Sequence, residues 1–181
     1  MLIESLKINP ADPSIPKANP APKLTEPKPQ AHAMQAEPPQ RPQPRPRSAY
    51  KAFVPITTRW ADNDIYGHVN NAVYTTWFDT AVNSYLIAHG ALDIHHGSTI
   101  GLVVQTSCNY FAPMAFPQAV QAGIRVAHFG TSSVRYEIGL FADGASTTNA
   151  CGEFVHVYVD KTTRSPVPLP LKLKTVLETL T

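Results

Sequence analysis

Between Trp60 and Ile124 the chain has no Lys, Arg or Glu, and the only formal charges there are Asp62, Asp64, Asp79 and Asp93. Two of these acids share the turn Asp62-Asn63-Asp64-Ile65-Tyr66-Gly67-His68-Val69-Asn70-Asn71, which runs into an apolar-striped segment. An acid just before a helix commonly bonds the free first-turn N–H groups and complements the helix dipole. That duty suits Asp62, which also has Arg59 available as an ion-pair partner. Asp64 is placed differently. It precedes Gly67, whose missing Cβ lets another molecule's atoms approach the backbone closely, and the N–H groups beyond it form an anion-stabilising site. A carboxylate facing free N–H donors is the minimal kit for acyl hydrolysis. The donors hold the developing oxyanion while the carboxylate activates water or attacks directly.

The elements that must position this turn are legible around it. Asn70 or Asn71 is the predicted N-cap of a helix that runs to about His89 and stops at Gly90. Val73, Tyr74, Trp77, Phe78, Ala81, Val82, Tyr85 and Leu86 recur at spacings of one broad buried stripe. The opposite side carries Thr75, Thr76, Asp79, Thr80 and Asn83 without a Lys or Glu, so it too is expected to be covered, by sheet or by a second subunit. A first strand is predicted over 51–59, with Pro55 suiting an edge position. Four more strands are predicted at Ile100–Phe111, Gln118–Phe129, Thr131–Ala142 and Ala150–Asp160, with hairpins at Gly130 and at Asp143-Gly144. A short helix over Leu171–Leu180 follows the proline cluster Pro166, Pro168 and Pro170. An antiparallel sheet wrapped around one long helix is the economical α+β packing of this order.

Composition separates a tail from this domain. Residues 1–47 hold 12 of the 18 prolines and a charge balance of +3, against −1 for the remaining 134 residues. The predicted division is therefore a disordered proline-rich tail, 1–47, and a domain, 48–181. The segment Pro42-Gln43-Pro44-Arg45-Pro46-Arg47 could dock a protein partner with an aromatic groove, although a plain spacer is the simpler reading. The sequence pI of about 8.6 belongs to the tail and makes no case for nucleic-acid binding by the domain. No apolar run reaches the roughly 18–20 residues of a membrane span, and Glu4 interrupts any secretory signal. Cys108 and Cys151 read as reduced and buried, which fits a cytoplasmic chain. The turn starting at Asp62 imitates a calcium loop but has Tyr66 and Val73 where ligands belong, and His89, His95 and His96 lack the spacing of a metal site.

The run Arg59-Trp60-Ala61-Asp62-Asn63-Asp64-Ile65-Tyr66-Gly67-His68-Val69-Asn70-Asn71-Ala72-Val73-Tyr74, continued by Trp77-Phe78-Asp79, resembles the signature of hotdog-fold acyl-CoA thioesterases of the 4-hydroxybenzoyl-CoA thioesterase type. The resemblance spans about residues 50–171 and leaves out the tail. It implies a hotdog fold, an acyl-CoA substrate, no cofactor, and a homodimer or homotetramer with active sites shared between subunits. Asp64 falls on the position of the nucleophile or general base. Gly67, His68, Val69, Asn70 and Asn71 fall on the helix start that polarises the thioester carbonyl, and Tyr74 closes the motif. Asp79 matches a frequently acidic family position, with a substrate-side and a structural role equally open. Arg125, Arg135, Lys161 and Arg164 are the cations available to coenzyme A phosphates. Two other readings remain: an acyl-acyl-carrier-protein thioesterase, and a non-catalytic acyl-thioester binder whose tail docks a partner.

Overall fold

The computed structural model describes residues 41–181. Its elements, in chain order, are β1 (Ala52–Ile56), α1 (Asn71–Ala88), β2 (Thr99–Thr106), β3 (Asn109–Tyr110), β4 (Val120–Phe129), β5 (Ser133–Ala142), β6 (Ala150–Asp160) and α2 (Leu171–Glu178). The strands form one sheet in the order β1-β4-β5-β6-β2, with β3 also pairing to β6. Every pairing is antiparallel.

Alternation along the strands explains how this sheet accepts a helix. Val120, Ala122, Ile124 and Val126 of β4 are buried together with Val134, Tyr136, Ile138 and Leu140 of β5, each set two residues apart and so on one face. Against them α1 buries Tyr74, Trp77, Phe78, Ala81, Val82 and Leu86. Burying a large apolar side chain contributes about 1.5–3 kcal/mol, so this stripe is what fixes the helix on the sheet. Leu173, Leu177 and Leu180 of the C-terminal segment close one end of the core, and the Val126 N–H donates to the Leu180 carbonyl. Among the described residues nothing covers the polar side of α1: Thr76, Asp79 and Thr80 are exposed.

Two expected boundaries shift for steric and electrostatic reasons. The strand predicted over Ile100–Phe111 is split into β2 and β3. At the break, the Ser107 carbonyl lies so close over Gly152 that a Cβ there would meet it at 1.9 Å. The split therefore depends on a glycine in the neighbouring strand.

The tail predicted to end at Arg47 ends earlier, because residues 45–50 form a strap on the sheet's outer face. Arg45 and Thr148 exchange backbone and side-chain hydrogen bonds, Pro46 bridges Thr147, and the Arg45 guanidinium joins Arg125 on Glu137. Arg47 stacks over Phe53 and Phe141 at 4.5 and 4.8 Å from their ring centroids. Tyr50, 5% exposed, lies in a trough over Gly123 and Gly139. Arg41 to Arg47, the suggested docking segment included, is thus partly engaged by the domain. The disorder expected for the rest of the tail lies outside the described residues.

One core residue is chemically out of place. His156 of β6 is 3% exposed, and neither ring nitrogen has a hydrogen-bond partner among the described residues. The rings of Tyr136, Phe154 and Tyr158 surround it, while the hydroxyls of Tyr136 and Tyr158 bond each other at 2.9 Å. Burial lowers its pKa to about 4, with the charge of Asp79 opposing that shift. Below the unfolded value of 6.5 the unfolded chain therefore binds a proton that the folded chain rejects. Stability should fall from pH 6.5 downward and lose about 3 kcal/mol by pH 4, where the effect levels off. Denaturant unfolding at pH 7.5, 5.5 and 4.5 measures this, and His156→Phe should flatten that part of the profile.

Candidate active site at the start of the central helix

The turn between β1 and α1 is laced by backbone bonds. Asn63 and Val69 form an isolated antiparallel bridge. The Asp64 N–H donates to the His68 carbonyl at 2.8 Å, and the Gly67 N–H returns to the Asp64 carbonyl at 3.1 Å. Gly67 has φ +79°, a left-handed conformation in which a side chain would be strained. From outside the turn, Val69 N–H donates to the Met114 carbonyl, and the Asn63 side-chain oxygen accepts from the Phe116 N–H.

The two neighbouring acids have different surroundings. Asp62 is 1% exposed, and its carboxylate accepts from the Arg59 backbone N–H at 2.7 Å and from the guanidinium at 3.0 and 2.8 Å. Its own carbonyl accepts from the Asn70 N–H. Asp62 is therefore fully employed in building the turn. Asp64 is half-buried, and one carboxylate oxygen accepts from the Tyr66 N–H at 2.8 Å. That single bond orients the group without consuming it.

Most backbone N–H groups after Gly67 are committed to partners. Val69 and Asn70 donate to Met114 and Asp62, and Val73 donates to the Asn70 carbonyl. Asn70 is the N-cap, with its side-chain oxygen accepting from Ala72 at 3.0 Å. The N–H groups of His68 and Asn71 are left without a partner among the described residues. Both belong to the helix start, where the aligned peptide dipoles favour negative charge.

Of the remaining predicted residues, Val69 is buried structure at 5% exposure and the His68 side chain is exposed. Tyr74 packs edge-on against Tyr110 with centroids 4.9 Å apart. Its pKa is raised, by burial above all. Asp79 stands apart from this group. It lies eight residues beyond Asn71, about 12 Å along the helix, and accepts from Asn83 at 2.9 Å.

Tyr110 is a neighbour of the candidate site that sequence reasoning missed. Tyr110 lies in the short β3, and its hydroxyl donates to the Asn71 carbonyl at 3.3 Å, tying β3 to the first turn of α1. Only the tertiary fold brings these segments together, so no local signal in the sequence points to them. Among the described residues, no group of three or more His, Cys, Asp or Glu side chains is placed to hold a metal ion. The cap carries a direct prediction: Asn70→Ala should cost about 1 kcal/mol of stability, read as a lowered unfolding midpoint at unchanged denaturant slope.

Comparison with known proteins agrees with this geometry. Residues 58–177 match the thioesterase-like superfamily. The structure of the PA5185 protein from Pseudomonas aeruginosa is 54% identical, with TM-score 0.75, over 76% of this chain and 96% of that one. A thioesterase from Thermus thermophilus, solved in complex with coenzyme A and Zn, is 28% identical with TM-score 0.60, over 73% of this chain and 95% of that one. Slr0204, a 1,4-dihydroxy-2-naphthoyl-CoA thioesterase from Synechocystis, is 18% identical with TM-score 0.63 over 69% and 93%, a likeness of fold alone. No curated protein matches. The helix-wrapping sheet, the turn before α1 and the match over most of the domain lead to one conclusion: the chain belongs to the thioesterase-like superfamily and is a hotdog-fold thioester hydrolase.

Proposed function

We propose that the chain hydrolyses acyl-CoA thioesters to a free acid and coenzyme A, with Asp64 as general base or nucleophile. The observation that carries this reading is the oriented, half-buried Asp64 carboxylate in the same closed turn as the two unpartnered N–H groups of His68 and Asn71. Those donors would bind the carbonyl oxygen as it gains negative charge. In the base route Asp64 takes a proton from water, the water oxygen bonds to the carbonyl carbon, and the C–S bond breaks. The departing thiolate then takes up a proton. In the nucleophile route the carboxylate itself bonds to that carbon, the thiolate leaves, and water hydrolyses the resulting anhydride. Coenzyme A as the carrier is supported by the structural relative solved with coenzyme A bound.

The site is completed, in this reading, by a second copy of the chain. The outermost strand β2 exposes Val103 and Val104, and Tyr110 beside the helix start is half exposed. The open polar side of α1, with Thr76, Asp79 and Thr80, lies along the same helix. A pair of subunits meeting here would cover both surfaces and exclude water from the thioester.

Asp64 is tested by free-thiol release from a panel of acyl-CoAs. Asp64→Asn and Asp64→Ala should each lower kcat by at least about 100-fold, the scale of a positioned acid or base, while circular dichroism and oligomer size stay unchanged. Full turnover by Asp64→Asn at pH 7 would remove Asp64 from the chemistry. Faster hydrolysis of a matched carrier-protein thioester than of the acyl-CoA would reassign the carrier.

A further inference from the structure

We propose that the cavity between the strap and the outer face of the sheet is a binding site for a flat, uncharged aromatic molecule bearing a primary carboxamide. The site lies on the face of the sheet opposite α1 and stands independently of the thioester chemistry.

Strand register places the cavity. Gly123 of β4, Gly139 of β5, Cys151 of β6 and Asn109 of β3 are successive partners across the sheet. Their chain neighbours Ile124, Ile138 and Ala150 are buried in the core, so this row faces outward. The Tyr50 ring lies along it, with Cγ over Gly123 and the hydroxyl over Gly139. The hydroxyl end therefore points toward β6. There a cavity of about 350 Å³ opens, with Cys151 and Asn109 of the same row in its lining. Glu137 and Glu153, paired in the adjacent row, form one wall. The chain from Pro42 to Arg45 supplies the side away from the sheet. That volume lies within the range of small-molecule sites, roughly 300–1,000 Å³.

The polar groups of the lining are only partly satisfied. Tyr50 is 5% exposed, yet its hydroxyl has no hydrogen-bond partner among the described residues, a condition that folded proteins rarely leave in place. Burial above all pushes its pKa up, so the phenol stays protonated and able to donate. Arg45 and Arg125 both bond Oε2 of Glu137, and Arg135 bonds Oε2 of Glu153. The Oε1 atom of each glutamate is left as an acceptor without a partner among the described residues.

An occupant that meets this set accepts from the Tyr50 O–H and donates to a glutamate oxygen. A primary carboxamide does both from one carbon. Gly139, beneath the hydroxyl, and Glu137 are two residues apart on β5, about 7 Å, an interval that one carboxamide with a hydrogen bond at each end spans. Charge is disfavoured in both signs. A carboxylate would confront the free oxygens of Glu137 and Glu153, whereas an ammonium would confront Arg45, and both glutamates are already neutralised by guanidinium groups. Flatness follows from the slot itself. The row that accepts the Tyr50 ring continues over the small side chain of Cys151, so a second ring extends the first along the same floor.

Isothermal titration calorimetry on the full-length chain tests the site with benzamide and with benzoate, which has the same shape but two acceptors and a negative charge. Benzamide should bind wild type with a Kd below about 1 mM, and at least tenfold more tightly than benzoate. Tyr50→Phe keeps the ring in its slot and removes only the hydroxyl, so it should weaken benzamide about tenfold, the scale of one hydrogen bond. Undiminished benzamide binding by Tyr50→Phe overturns the location. Equal affinity of wild type for the two probes overturns the chemistry, and no binding of benzamide up to about 10 mM leaves the cavity to solvent and overturns the site. If Tyr50→Phe does not fold, the ratio of the two affinities on wild type decides.

Discussion

Burial of the α1 stripe against one face of the sheet is the constraint from which the rest of the molecule follows. Tyr74, Trp77, Phe78, Ala81, Val82 and Leu86 project from a broad arc of the helix, and covering that arc takes the inward faces of β4, β5 and β6 together. Once the helix is held in this way, its first turn has one position relative to the strand ends. The chain arriving from β1 must then enter the helix through a tight polar turn. The open donors are a by-product of that entry: a helix start always leaves N–H groups unpaired, and among the described residues all but two between Gly67 and Val73 find partners.

The pair Asp62 and Asp64 shows how one short segment can treat two identical side chains differently. The first carboxylate is enclosed and saturated by Arg59, so it neutralises its own burial and pins the turn. The second accepts one oriented bond from Tyr66 and keeps the rest of its capacity. Two residues of separation put identical side chains in opposite circumstances, and the difference comes from neighbouring donors rather than from residue type.

Much of this was legible in local sequence. The N-cap at Asn70, the helix stop at Gly90 with its left-handed φ of +62°, the last strand Ala150–Asp160 and the Arg59–Asp62 pair are all set within a few residues. What escaped reading depends on partners far away in the chain. The close approach of the Ser107 carbonyl between β2 and β3 is permitted by Gly152 on the adjoining strand, and Arg45 meets its carboxylate at Glu137, 92 residues on. Compositional statistics assigned Arg45 to Arg47 to the tail because prolines surround them, yet their charges and the ring of Tyr50 find complementary ground on the sheet. In the same way His156 sits at an inward position of a regular alternation, where only the identities of its neighbours reveal that its nitrogens are unmet.

The trough under Tyr50 has a consequence for how this sequence can vary. A Cβ at Gly123 would meet the Tyr50 ring at 2.8 Å, and one at Gly139 would meet its Cζ at 2.4 Å and the Thr148 methyl at 2.6 Å. Three positions from three separate stretches of chain, Tyr50, Gly123 and Gly139, therefore behave as one mutational unit. Neither glycine can gain a side chain while the ring is present, and shortening the ring opens a furrow across two strands that only larger residues at both glycines would refill. A change at any one of them alone brings a clash or a void, so the packing favours a concerted exchange.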